Sequence, residues 1–150
     1  MLSLNLPTFA AKVKEKDGKH TIFDPVRRKY VALTPEEWVR QHFVNYLITH
    51  KGYPKELLAN EVPLKLNGTS KRCDTVAYNR FLAPLMIVEY KAPSIEITSA
   101  VFDQIVRYNM VLHVRYLAVS NGISHFCCKI DYENFTYSFL EGIPEYKELE

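Results

Sequence analysis

The segment Leu85-Met86-Ile87-Val88-Glu89-Tyr90-Lys91 places an acid and a base where a buried strand ends. Side chains alternate along an extended chain, so Glu89 and Lys91 share one face and Tyr90 looks the other way. The apolar run before them marks an interior strand covered on both sides. Charges beside such a core are costly to desolvate unless something compensates them. Asp74, fifteen positions earlier in "KRCDTVAY", belongs to the strand that should lie next to this one. If the register brings Asp74 level with Glu89, two carboxylates and a lysine meet on one patch. Two like charges that close oppose folding unless a divalent cation sits between them. Carboxylate oxygens plus waters suit Mg²⁺, with Mn²⁺ as the other cation and the Tyr90 carbonyl as a further ligand. Such a cation activates a water and screens the charge growing on a phosphate, which is the chemistry of phosphodiester hydrolysis. Lys91 would position that water or stabilise the pentacovalent phosphate. The plain alternative is a surface ion pair at a strand end.

The elements that must position these residues follow from periodicity and turn chemistry. "AAKVKEKDGKHTIFD" alternates around Asp17-Gly18 and predicts an N-terminal hairpin whose lysines form a solvated face. "KYVAL" reads as a short strand. Thr34-Pro35-Glu36-Glu37 then starts a helix with Thr as cap, and Val39, Phe43, Tyr46, Leu47 and His50 recur at helical spacing until Gly52 and Pro54. "LANEVPLKL" and "SKRCDTVAYN" flank the turn Asn67-Gly68, and "APLMIVEYKA" completes a three-strand meander. The connection "NRFLA" puts Phe81 and Leu82 at a loop tip, where they are expected to mark a contact surface. Ile97, Val101, Ile105, Tyr108 and Leu112 give one apolar face of a second helix. A strand at "RYLAVSNG" after that helical crossover should run parallel to an earlier one, and "ISHFCCKI" and "FTYSFLEG" add a closing hairpin.

The totals fit one domain over 1–150: 47% apolar, 24% charged and a net charge of +2 that neither requires nor excludes nucleic acid. No run is apolar enough for a membrane span and no leader pattern begins the chain, so a cytoplasmic protein with no membrane partner is expected. Cys73, Cys127 and Cys128 lack zinc or disulfide spacing and read as packing residues. The five histidines show no ligand spacing, with His113 and His125 expected to be half-buried.

"CDTVAYN…PLMIVEYKAP" resembles the PD-(D/E)xK nuclease superfamily, whose common core has the same order of helix, three strands, helix and strand. More closely, "TPEEWVRQHFVNYLI", "GYP", "LKLNG", "VEYKAP", "FDQIVRYN" and "CCKIDYEN" together resemble the N-terminal nuclease domain of type I restriction enzyme R (motor) subunits, in a stand-alone short form, from about Lys29 to the C-terminus. The resemblance implies an α/β, restriction-endonuclease-like fold with a mixed sheet. It implies a core over about 29–120, an N-terminal hairpin extension over 1–28 and C-terminal hairpin strands over 123–141. It implies a Mg²⁺-dependent DNA endonuclease in which Asp74 and Glu89 are the metal carboxylates and Lys91 is the catalytic lysine.

By the same resemblance Glu37 is the helix-one glutamate completing the metal shell, and Arg40 follows it at the family's spacing as a DNA contact. Glu37 is equally the capping-box residue of its helix, and Glu36 beside it is the other candidate. Gln104-x-x-x-Tyr108 resembles an element that faces the active site and the DNA in these nucleases, although Tyr108 also fits the apolar stripe. The chain carries no G-x-x-x-x-G-K-[ST], so the resemblance does not extend to an ATP-driven motor. Three functions follow: an independent deoxyribonuclease of restriction or repair type, a non-catalytic DNA-binding module, or a subunit to which a separate helicase, motor or specificity protein delivers DNA.

Overall fold

The computed structural model describes residues 3–150 and contains two sheets and two α-helices. The smaller sheet is antiparallel, with β1 (Val13–Lys16), β2 (Lys19–Asp24) and β3 (Lys29–Ala32) side by side. Asp17 and Gly18 take φ of 55° and 75°, the left-handed pair that a two-residue hairpin needs. The "KYVAL" strand is the third member of this sheet, with Lys29 opposite Asp24. The N-terminal region is therefore a three-stranded unit and not a bare hairpin.

α1 (Pro35–His50) starts where expected: Thr34 Oγ1 accepts from the Glu37 N–H at 3.0 Å, and Pro35 needs no partner at the first position. At its end Gly52 adopts φ 74°, and the Tyr53 N–H returns to the Leu47 carbonyl at 3.1 Å. A 3₁₀ turn at Lys55–Leu57 leads into the larger sheet.

That sheet is mixed, with strands in the order β4 (Leu58–Leu66), β5 (Thr69–Tyr78), β6 (Pro84–Tyr90), β7 (Tyr116–Ser120), β8 (His125–Asp131) and β9 (Thr136–Phe139). α2 (Ser99–Met110) carries the chain from β6 to β7, and that pair alone is parallel, as a helical crossover requires. β6 alternates between two cores. Met86, Val88 and Tyr90 pack with Val39, Phe43 and Leu47 of α1, while Ile87 packs with Phe102 and Val106 of α2. The sheet is thus sandwiched between the two helices, and the buried centre of β6, Met86 to Val88, matches its apolar sequence.

The buried face of α2 differs from the sequence expectation. Phe102, Val106 and Asn109 are buried, whereas Tyr108 is 54% exposed. Phe102 anchors the helix against aromatic rings on the last two strands, 4.8 Å from Phe139 and 6.2 Å from Phe126. Val101 and Tyr108 therefore line a cavity, which Ile105 also lines while packing against the α2-side core. His113 is likewise exposed, stacked at 4.5 Å on Tyr132, while His125 is half-buried as expected. All three cysteines are free and buried. Phe81 and Leu82 are 87% and 68% exposed at the β5–β6 connection, which Asn79 Oδ1 holds by accepting from the N–H groups of Phe81 and Ala83. Among the described residues no helix is long and apolar enough to cross a membrane.

Candidate functional site

β5 and β6 are antiparallel with Thr75 opposite Val88, and extending that register by one residue sets Asp74 opposite Glu89. Both lie on the α2 side of the sheet, by alternation from Val76 and Ile87. Tyr90 turns to the α1 side, where its hydroxyl donates to Thr75 Oγ1 at 2.9 Å. Its backbone N–H donates to Asp74 Oδ2 at 2.8 Å, which aims the aspartate at the end of β6. Asp74, Glu89, Lys91, Gln104, Tyr108 and Arg72 line a cavity of about 330 Å³ between the sheet and α2. Five sequence-predicted side chains, Asp74, Glu89, Lys91, Gln104 and Tyr108, therefore face one space.

Electrostatics in this cavity are unfavourable as they stand. Burial, and then the adjacent Asp74 carboxylate, push Glu89 from 4.5 up to about 9. Without a compensating charge Glu89 keeps its proton at neutral pH. The same burial, with Glu89 and Asp74 nearby, raises the Cys73 thiol to about 12, so Cys73 is inert packing.

Glu37 and Arg40 lie elsewhere. The Glu37 carboxylate accepts from Arg27 Nη2 at 2.8 Å, Arg40 Nε at 3.0 Å, Arg40 Nη2 at 2.9 Å and Gln41 Nε2 at 2.9 Å. It caps neither helix nor cavity with that side chain. Only its N–H takes part in the Thr34 cap. Arg40 is buried, and it donates to Glu61 Oε1 at 2.9 Å and to the Asp74 carbonyl at 2.7 Å as well as to Glu37. The guanidinium of Arg40, expected at the DNA, is enclosed here and bonded to three protein partners. Glu36, the neighbouring alternative, is exposed in the first turn of α1.

Several residues at or behind the site carry no motif of their own. Glu61 on edge strand β4 falls opposite Asp74, and the β4–β5 pairing passes from Asn60↔Thr75 to Val62↔Cys73 around it. Its φ of 54° is left-handed, a conformation a side-chain-bearing residue adopts mid-strand only at an irregularity. Behind the sheet, Asp24 is fully buried and accepts from the Val26 N–H, Arg27 Nε and Asn60 Nδ2. Asn60 Oδ1 in turn accepts from Thr75 Oγ1 at 2.7 Å. Nothing local marks Arg72, Glu61 or Asp24.

A divalent cation fits this donor set. Two carboxylates repel across a partly dry cavity, and the Tyr90 carbonyl stands between the side chains on either side of it. Asn109, which also lines the cavity, has a buried Oδ1 with no partner among the described residues. Among the described residues no three His, Cys, Asp or Glu side chains converge in metal-binding geometry, so backbone and water would complete the shell.

Comparison with known proteins agrees with this architecture. The family model for the type I restriction enzyme R protein N terminus (HSDR_N) matches residues 35–144. No curated protein matches the chain. A solved fragment structure assigned to an HsdR subunit of a type I restriction enzyme from Vibrio vulnificus YJ016 is similar in fold, with a TM-score of 0.54 and 20% identity over 78% of this chain. The match spans 24% of that HsdR fragment.

Proposed function

The chain belongs to the family of type I restriction enzyme R protein N termini, and from that premise we propose that it hydrolyses DNA phosphodiester bonds in the cavity beneath β5 and β6. The observation that carries this reading is the Asp74–Glu89 pair, two carboxylates level on neighbouring strands with Lys91 lining the same space. We read α1, β4 to β6, α2 and β7 as a restriction-endonuclease-like core, extended by the small sheet and by β8 and β9.

Asp74, Glu89 and the Tyr90 carbonyl would hold Mg²⁺, with Mn²⁺ as a substitute. Bound there, the cation supplies the charge that screens the phosphate and acidifies a water. Lys91 sets its ammonium against the non-bridging oxygens, where negative charge grows as the phosphate becomes pentacovalent. The Tyr90 N–H fixes one oxygen of Asp74. Gln104 and Tyr108, one turn apart on α2, form the outer wall past which a nucleic-acid strand enters. Glu37 is assigned to the support of Arg40, whose bond to the Asp74 carbonyl holds β5 in place.

The family membership supports a second element of the proposal: DNA reaches this domain within a type I restriction complex, delivered by a motor or specificity component. The test is cleavage of supercoiled, linear, single-stranded and branched DNA by the purified chain with Mg²⁺, Mn²⁺ or chelator, beside Asp74→Ala and Lys91→Ala. Cation-dependent nicking that both variants lose is the expected result. Cleavage retained by either variant refutes the assignment, and DNA binding without any product points to the partner-dependent or non-catalytic form.

A further inference from the structure

The long β4–β5 hairpin changes face partway along. Near its base, Leu58 packs with the α1 core and Asn60 bonds to Asp24 on that side. Beyond Glu61, Val62 and Leu64 pack instead with the α2 core, although all four positions have the same parity. An unbroken strand would keep them on one side. The left-handed Glu61 is where the switch occurs, and its effect is to curl the outer half of the hairpin over α2. Lys71 consequently sits 3.9 Å above the Tyr108 ring, and Arg72 enters the wall of the cavity.

Arg72 is held there but not used up. Its Nη1 donates to the Glu61 carbonyl at 2.9 Å and lies 3.8 Å from Glu61 Oε2. The other N–H groups of the guanidinium make no bond to the described residues, and the side chain is 64% exposed. It forms no ion pair with Asp74 or Glu89, although it shares their cavity. A tethered guanidinium with an open fork beside a hydrolytic centre is suited to a phosphate, whose oxygens match the fork's geometry.

We propose that Arg72, aimed by the left-handed backbone at Glu61, binds a backbone phosphate of the DNA strand next to the one cleaved. It takes the contact that sequence resemblance gave to Arg40. The inference rests on the nuclease reading for its substrate but stands on different residues. As an exposed residue tethered by a single backbone bond, Arg72 can be replaced without disturbing either core.

The test measures binding of a short fluorescent duplex DNA at increasing KCl, in the presence of chelator, for wild type, Arg72→Ala and Arg72→Lys, with cleavage kinetics in Mg²⁺ alongside. Arg72→Ala should weaken binding about tenfold and lower the slope of log K against log salt by about one. Its KM should rise with kcat nearly unchanged, and Arg72→Lys should keep the slope while recovering part of the affinity. Equal affinity and slope in wild type and Arg72→Ala overturn the proposal, even if the wild type cleaves DNA. A reduced slope in a protein that never cleaves keeps the phosphate contact and counts only against cleavage by the chain acting alone. A wild type that does not bind DNA overturns both.

Discussion

Asp74 and Glu89 face each other across adjacent antiparallel strands, and the cost of that arrangement falls on Glu89, which burial and its neighbour hold protonated up to about 9. In the unfolded chain Glu89 loses its proton near 4.5. The native state therefore binds the extra proton between these values, so this group's contribution to stability is complete below 4.5 and is lost as pH rises toward 9. A divalent cation would take the proton's place.

Mg²⁺ should accordingly raise the melting temperature more at alkaline than at mildly acid pH. At ten times its Kd the cation adds roughly 1.4 kcal/mol, or about 3–6 °C for a domain of this size. Asp74→Asn removes the repulsion and one ligand together, so it should flatten the pH dependence and abolish the Mg²⁺ shift. Thermal melts across pH with and without the cation decide the matter. An equal Mg²⁺ shift in Asp74→Asn counts against the pair as the binding site.

Glu37 offers a separate test of site against scaffold. Burial acts to raise its pKa, but hydrogen bonds from Arg40, Gln41 and Arg27 outweigh that and lower it. The sign is opposite to that of Glu89: the stabilisation is present above the unfolded value of 4.5 and disappears as pH falls through the lower folded value. Glu37→Ala leaves Arg27 and Arg40 without their shared carboxylate and should cost about 3–5 kcal/mol, measured by urea unfolding at neutral pH. Glu37→Gln should lose less and flatten the acid limb. If Glu37→Gln instead unfolds like wild type at every pH but requires much more Mg²⁺ for cleavage, Glu37 is a ligand after all.

Local pattern sufficed for much of this architecture. Asp17-Gly18 and Asn67-Gly68 set their turns through residues that tolerate left-handed backbone, Thr34 and Pro35 set the start of α1, and the unbroken apolar run of β6 declared a strand buried on both sides. The meander put Asp74 on the strand beside Glu89, while the register that makes the two level comes from the β5–β6 pairing itself. What the sequence hid depends on contacts between distant segments. The face of α2 is decided by Phe102 meeting rings on β8 and β9, which a single-helix periodicity does not contain. Arg40 was expected at the DNA through the resemblance alone, yet Glu61, twenty-one residues away, closes over it. The left-handed backbone at Glu61 falls on a residue type that does not announce it, and its bonds from Arg40 and Arg72 come from distant positions.

The buried relay from the small sheet gives the N-terminal region a role in the site. Asp24 holds Asn60 at 2.9 Å, Asn60 receives the Thr75 hydroxyl at 2.7 Å, and Thr75 receives the Tyr90 hydroxyl at 2.9 Å. Tyr90 stands between Glu89 and Lys91, so the relay fixes the twist of β6 where its two working side chains emerge. Asp24 is held ionised below its usual value: burial opposes this, but bonds from Arg27, Asn60 and the Val26 N–H prevail. Thr75→Val keeps the shape of the side chain and removes its hydroxyl, leaving Asn60 Oδ1 and the Tyr90 hydroxyl unpaired, at about 1–3 kcal/mol. If the relay positions the site, Thr75→Val should lower kcat about tenfold while DNA affinity in chelator stays at the wild-type value, and Thr75→Ser should restore kcat. A variant that loses stability but keeps kcat at temperatures where it is fully folded would confine the relay to holding the two sheets together.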